Sequence, residues 1–170
     1  SRGVAFQSPV TQAVGTPVAY KQVSNAFGPV IFDSNSNKVV IAYIDSGDSS
    51  KGKCIVGTVS GTSISFGSEV TFETTSNTTQ LYGTFDSTNN KVILVYRQNY
   101  STGNAIVGTV SGNSISFGST AAFSSNNTIY FGVAFDSRNN KIVISYRAIS
   151  NNNYGTAVVG TVSGTSISFG

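Results

Sequence analysis

The chain has 170 residues, of which only 10% are charged; ten basic and seven acidic groups leave a net charge of +3. That length buries a proper core, and so little charge argues against a solvated, disordered chain. Histidine, tryptophan and methionine are absent, so neither a Ser-His-acid nor a Cys-His arrangement is available, and the scattered Lys and Arg form no basic patch interleaved with aromatics for nucleic acid.

No run of about 18 apolar residues occurs, so no membrane-spanning helix is predicted. Ser1 opens no signal-peptide pattern, which predicts a processed chain, a fragment, or a chain not exported by that route. The single cysteine, Cys54, aligns with Ala105 and Ala157 of the repeats described next, so it reads as a small buried residue.

Residues 1–14 form an N-terminal flank outside any pattern. From Gly15 a repeat register begins part-way through. Gly15-Thr16-Pro17-Val18-Ala19-Tyr20 corresponds to Gly67-Ser68-Glu69-Val70-Thr71-Phe72 and to Gly118-Ser119-Thr120-Ala121-Ala122-Phe123. A polar stretch follows each (21–27, 73–80 and 124–128), and then a short apolar segment runs into Phe-Asp-Ser at Phe32, Phe85 and Phe135. The sequence Asp-Ser-x-x-Asn-Lys comes next, starting at Asp33, Asp86 and Asp136. Asp, Ser and Asn bond their own backbone and tolerate left-handed conformations, so this is a tight hairpin turn.

Three strongly apolar segments follow, at 39–43, 92–96 and 142–146. In the second, Val92, Leu94 and Tyr96 share one face while Ile93 and Val95 take the other, so both faces are covered and sheets are predicted to stack. Variable stretches rich in Asn, Ser, Gly and Tyr come next (44–53, 97–104 and 147–156), and they read as loops. Each leads into Val-Gly-Thr-Val-Ser-Gly-x-Ser-Ile-Ser-Phe-Gly, which starts at Val56, Val107 and Val159, 51 and then 52 residues apart. The alternation in Ser-Ile-Ser-Phe is a half-buried strand.

No window shows helical periodicity. The prediction is an all-β fold of three four-stranded antiparallel repeats of about 50 residues, forming β-propeller-like blades, with a β-trefoil as the alternative. Residues 15–170 form one repeat domain, divided near 15–66, 67–117 and 118–170. The chain opens on the second half of an outer strand and closes on its first half. Propellers have about 4–8 blades, so three repeats predict self-association or further repeats to complete a ring or fibre.

The stretch from Phe135 through Lys141 to Arg147, with the one from Tyr154 to Gly170, resembles a tandem repeat of aquatic phage virion and tail-fibre-like proteins and of some bacterial surface proteins. The resemblance covers residues 15–170. It implies an extracellular, cell-surface or virion-borne propeller-like module, and it carries over no catalytic or binding residues.

The repeated Asp33, Asp86 and Asp136 sit at the same turn of different repeats, apart from one another, which does not suit acid/base catalysis. Asp33-Ser34-Asn35-Ser36-Asn37 begins like a calcium loop, but Lys38 takes the place of the required Gly and no downstream Glu completes the shell. A self-capped turn is the prediction, with no metal and no cofactor. The candidate ligand-binding residues lie in the variable stretches: Arg97, Asn99, Tyr100 and Asn104 in the second repeat, and Arg147, Asn151, Asn152, Asn153 and Tyr154 in the third. Flat aromatic faces and amides on adaptable loops suit stacking on sugars, whereas Asn, Ser and Gly alone need only make polar loops. The expectation is a non-enzymatic binding or adhesion module for surface glycans; the alternative is a structural subunit of a fibre, appendage or capsid decoration completed by strand sharing. Asn77, Asn99 and Asn126 also stand in glycosylation sequons.

Overall fold

The computed structural model describes residues 14–22 and 26–170; the N-terminal flank and the 21–27 polar stretch fall partly outside them. Among the described residues there are fourteen strands and no helix. The first sheet takes β1 (Val30–Asp33), β2 (Lys38–Asp45), β3 (Lys51–Ser60) and β4 (Ser63–Phe66) in chain order, and β5 (Val70–Glu73) also pairs with β3. The second repeats this with β6 (Thr78–Asp86), β7 (Lys91–Gln98), β8 (Thr102–Ser111) and β9 (Ser114–Phe117), with β10 (Ala121–Ser124) also on β8. The third has β11 (Thr128–Asp136), β12 (Lys141–Ala148), β13 (Tyr154–Ser163) and β14 (Ser166–Phe169). All pairings are antiparallel.

The outer edge of a sheet is thus one strand in two halves. β4 runs along the second half of β3 (Gly57 opposite Phe66), and β5 along its first half (Cys54 opposite Val70). Gly67, between them, shows what the break is for. A Cβ there would lie 1.9 Å from the carbonyl oxygen of Asn113 in the neighbouring sheet, and one at Gly118 equally close to that of Thr165. Only hydrogen fits where one sheet's edge meets the next sheet's turn.

Local chemistry fixes the hairpins. Asp33 Oδ1 accepts the amides of Asn35 and Ser36 at 2.9 and 3.0 Å, and Asp86 and Asp136 do the same in their copies. Asn37, Asn90 and Asn140 are left-handed with φ of 54° to 55°, as the turn chemistry requires. The lysine that closes each turn donates to the threonine of Val-Gly-Thr-Val, Lys38 to Thr58 at 2.7 Å, Lys91 to Thr109 at 2.9 Å and Lys141 to Thr161 at 2.8 Å.

The three sheets stack face to face in chain order. One core lies between the first and second, built from Val40, Ala42, Cys54 and Val56 on one side and Val92, Leu94 and Tyr96 on the other. A second core, with Ile93, Val95, Ala105 and Val107 facing Ile142 and Ile144, joins the second sheet to the third. Val92 to Tyr96 are all fully buried, so the two-sided covering read from the sequence holds there. Cys54 is buried and reduced, as its alignment with alanines implied, and burial pushes its thiol pKa up. The described strands form separate open sheets, not the closed barrel of a β-trefoil.

The boundaries of the variable stretches need correction. What read as loops at 44–53, 97–104 and 147–156 is mostly strand. The connections shrink to 46–50, 99–101 and 149–153, which puts Arg97 in β7, Asn104 in β8, Arg147 in β12 and Tyr154 in β13. Ladders are built from backbone amides, which polar side chains leave intact. The glycines that looked like loop residues are packing sites: Gly52 and Gly103 lie under the rings of Phe72 and Phe123, where a Cβ would come within 2.3 and 2.5 Å of ring carbon.

Candidate functional site

The connections 46–50, 99–101 and 149–153 lie at the end of the sheets opposite the Asp-Ser turns, because each joins the second strand of its sheet to the third. Two asparagines, Asn77, which the sequence reading noted only as a sequon, and Asn127, which it passed over, tie these hairpin ends into a row. The Asn77 amide donates to the Ser49 carbonyl at 3.1 Å, and the Asn77 carbonyl accepts the Asn99 amide at 3.2 Å. In the next copy the Asn127 carbonyl accepts the Ile149 amide at 2.9 Å, and its side-chain oxygen accepts from the Arg97 guanidinium. Asn77-Thr78 and Asn127-Thr128 both open the first strand of a sheet, and that repetition was the signal available in the sequence.

On this row the predicted residues divide. Arg97 donates to the Tyr100 carbonyl, and its guanidinium carbon stands 5.8 Å from the Tyr100 ring centre. Partial burial lowers the Arg97 pKa, with Tyr100 acting against the shift. Tyr100 remains 57% exposed at the tip. Asn99 and Tyr100 are both left-handed, at φ 50° and 57°. Asn104 is withdrawn from the surface: it is buried within β8, opposite Tyr96 and Ala122.

In the third sheet Arg147 donates to Asn153 Oδ1 at 2.8 and 3.2 Å, and its guanidinium lies 5.8 Å from the ring centre of Tyr130. Tyr130 was missed by sequence. It sits in β11 at a β-bulge, left-handed at φ 58°, 66% exposed, and its amide reaches Gln80 Oε1 of the second sheet at 2.5 Å. Asn151, Asn152 and Asn153 form the exposed turn that the Tyr154 amide closes onto Asn151 O at 2.9 Å, and the Tyr154 ring is exposed. Two equivalent arginines therefore each stack on an exposed tyrosine, a favourable cation–π arrangement.

A cavity of ≈ 480 Å³ opens beside this group, lined by Tyr130, Ser145, Tyr146, Arg147, Gly155, Thr156 and Ala157. Its size falls within the range of ligand sites. Its walls carry one cation and no carboxylate.

The first sheet has chemistry of its own. Lys53, buried in β3, contacts Asp45 at 2.9 Å, Asp48 at 2.9 Å and Glu69 at 3.0 Å, while Lys21 joins Asp45 at 2.9 Å and Glu69 at 2.7 Å. Glu69 also accepts from the Tyr43 hydroxyl. Burial opposes ionisation of Asp45, but hydrogen bonds from Lys53 and Lys21 outweigh it and hold the carboxyl down at about 2. Burial likewise works against the Lys53 ammonium, and its three carboxylate partners raise its pKa nonetheless. Every charge here is matched, so the cluster fastens structure and leaves no free acid or base. Lys21, Asp45, Asp48 and Lys53 lie in stretches read as loop or polar linker and Glu69 in a repeated half-strand segment, and these charges recur at the equivalent positions of no other repeat, which is why spacing did not reveal them.

The carboxylates of Asp33, Asp86 and Asp136 accept from their own turns, and no group of three or more His, Cys, Asp or Glu is placed to hold a metal among the described residues. No helix among the described residues is long and apolar enough to cross a membrane. Comparison of the chain with protein-family models, with curated proteins and with solved structures gives no match.

Proposed function

We propose that the chain is a non-enzymatic, propeller-like binding module of a virion, appendage or cell surface, recognising glycans at the hairpin ends of its second and third sheets. The observation that carries this reading is the repeated guanidinium–tyrosine stack, Arg97 on Tyr100 and Arg147 on Tyr130, beside the amides of Asn153 and Asn127. Exposed rings held flat by a cation offer a sugar its apolar face, and neighbouring amides serve its hydroxyls.

The test is a glycan-array screen with competition by free sugar. Binding that free sugar abolishes, and that Tyr100→Ala or Tyr130→Ala weakens about tenfold, is the expected outcome; a tenfold loss corresponds to about 1.4 kcal/mol, the scale of one aromatic contact. A silent array from folded protein would sink the glycan reading.

A further inference from the structure

We propose that the glycan site selects acidic sugars: Arg97, at the junction of the second and third sheets, receives a carboxylate or sulfate carried by the sugar whose ring stacks on Tyr100. This deepens the glycan reading and rests on it.

Arg97 stands where an apolar residue would serve the fold better. It continues the face of β7 that carries Ile93 and Val95 towards the third sheet. The first sheet fills the equivalent position with Ile44, which is buried in the core between the first and second sheets. Arg97 is half-buried at the corresponding place one sheet on, and burial works against its charge. A cation drawn out of water needs compensation. Where a residue breaks the local packing rule in this way, a site of use is the expectation.

The chain brings no counter-charge to it. All seven acidic residues are engaged elsewhere. Asp33, Asp86 and Asp136 cap the turns at the opposite end of the sheets. Asp45, Asp48 and Glu69 pair with the lysines of the first sheet, and Glu73 accepts from Thr75 and from the Tyr96 hydroxyl. Lys21 and Lys53, the cations used as fasteners, meet two and three carboxylates. The acceptors on Arg97 are neutral, the Tyr100 carbonyl and Asn127 Oδ1, and both take the same nitrogen, Nη2. Its Nε is buried and has no acceptor among the described residues.

Those two neutral oxygens do what a carboxylate would not. They fix the guanidinium from both sides of the junction, Tyr100 from the hairpin between β7 and β8 and Asn127 from the residue ahead of β11, and they leave its positive charge uncancelled. A positioned guanidinium is a planar fork of donors that matches a carboxylate or a sulfate. A group ordered before binding loses less freedom on binding. Tyr100 is left-handed at φ 57° and 57% exposed, and its ring centre lies 5.8 Å from the guanidinium carbon. A sugar stacked on Tyr100 thereby brings an anionic substituent at its rim to the charge, and the chain's net +3 draws such ligands in.

Matched probes separate the anion from the rest of the sugar: oligogalacturonate against its methyl ester, sialyllactose against lactose, and a sulfated galactan oligosaccharide against its desulfated form. Calorimetric titration of the 170-residue chain should show the acidic member of at least one pair bound about tenfold more tightly, or about 1.4 kcal/mol. Which pair responds tells carboxylate from sulfate. The preference should collapse in about 1 M salt, where exposed charges are screened beyond about 3 Å. Arg97→Ile, which installs the first sheet's own residue, should stay folded by circular dichroism and erase the preference. Lys141→Gln removes the same charge at the opposite end of the sheets and should keep it. Equal affinity for both members of every pair would overturn the anion assignment and leave the glycan reading standing. So would a preference that survives Arg97→Ile, or one that Lys141→Gln abolishes equally. Failure of every probe, acidic and neutral, would count against the glycan reading itself and take this inference with it.

Discussion

The side chain with most at stake is Asp45. Its carboxyl is 2% exposed and bound to two ammonium groups, and its pKa is held at about 2 against an ordinary 3.8. A carboxyl depressed in the folded state contributes stability that is fully present above its unfolded pKa. That stability is lost as pH falls through the folded value. Denaturant midpoints should therefore drop between about pH 4 and pH 2, by on the order of 2 kcal/mol from this group. Asp45→Asn should already be destabilised at neutral pH, with a flatter acid limb; an unchanged limb would remove Asp45 from the account. None of this was legible from the sequence. Lys53 and Glu69 are far apart along the chain and carry charges of kinds scattered throughout it, so only the pairing of β3 with β5 brings them together. Asn104 misled for the opposite reason, since an asparagine in a Gly- and Thr-containing stretch reads as surface while its neighbours in β8 bury it.

Among the elements, the Asp-Ser-x-x-Asn-Lys hairpins were the most readable. Asp, Ser and Asn bonding their own backbone, together with the left-handed asparagine, are properties of a few adjacent residues, and the structure reproduces them in all three copies. Asp86 accepts from two amides and from the Asn89 side chain at 2.8 to 3.0 Å and is 1% exposed. Asp86→Ala should cost about 1–3 kcal/mol, because it removes three hydrogen bonds to a buried carboxylate. Asn90→Gly at φ 55° should be close to neutral. Equal losses from the two substitutions in chemical denaturation would contradict the self-capping account. Strand ends were harder to read, because where a ladder stops depends on a partner distant in sequence. Gly52 and Gly103 look like loop residues until the rings of Phe72 and Phe123 are placed over them.

For the molecule as a whole, the second sheet alone among the described residues is covered on both faces by other sheets of the chain. Slow amide exchange follows burial and paired edges, so β7 should exchange slowest in the single chain. Uniform protection across the three sheets would contradict that gradient. The stacking itself was visible in the two-faced apolar run Val92 to Tyr96.

Near-identical repeats carry a hazard during folding, because any half-strand of the Gly-Ser-x-Val-Thr-Phe kind suits the edge of any sheet. The ion cluster of the first sheet works as an address against such errors. Glu69, just before β5, meets Lys53 where the other sheets offer Asn104 or Thr156, and its carboxylate delivered to either would lose the ammonium partner it has here. The cluster's worth thus lies less in the depth of the native well than in the height of the mispaired alternatives. Exchanging Lys53 and Asn104 between their sheets would be felt first as scrambled refolding.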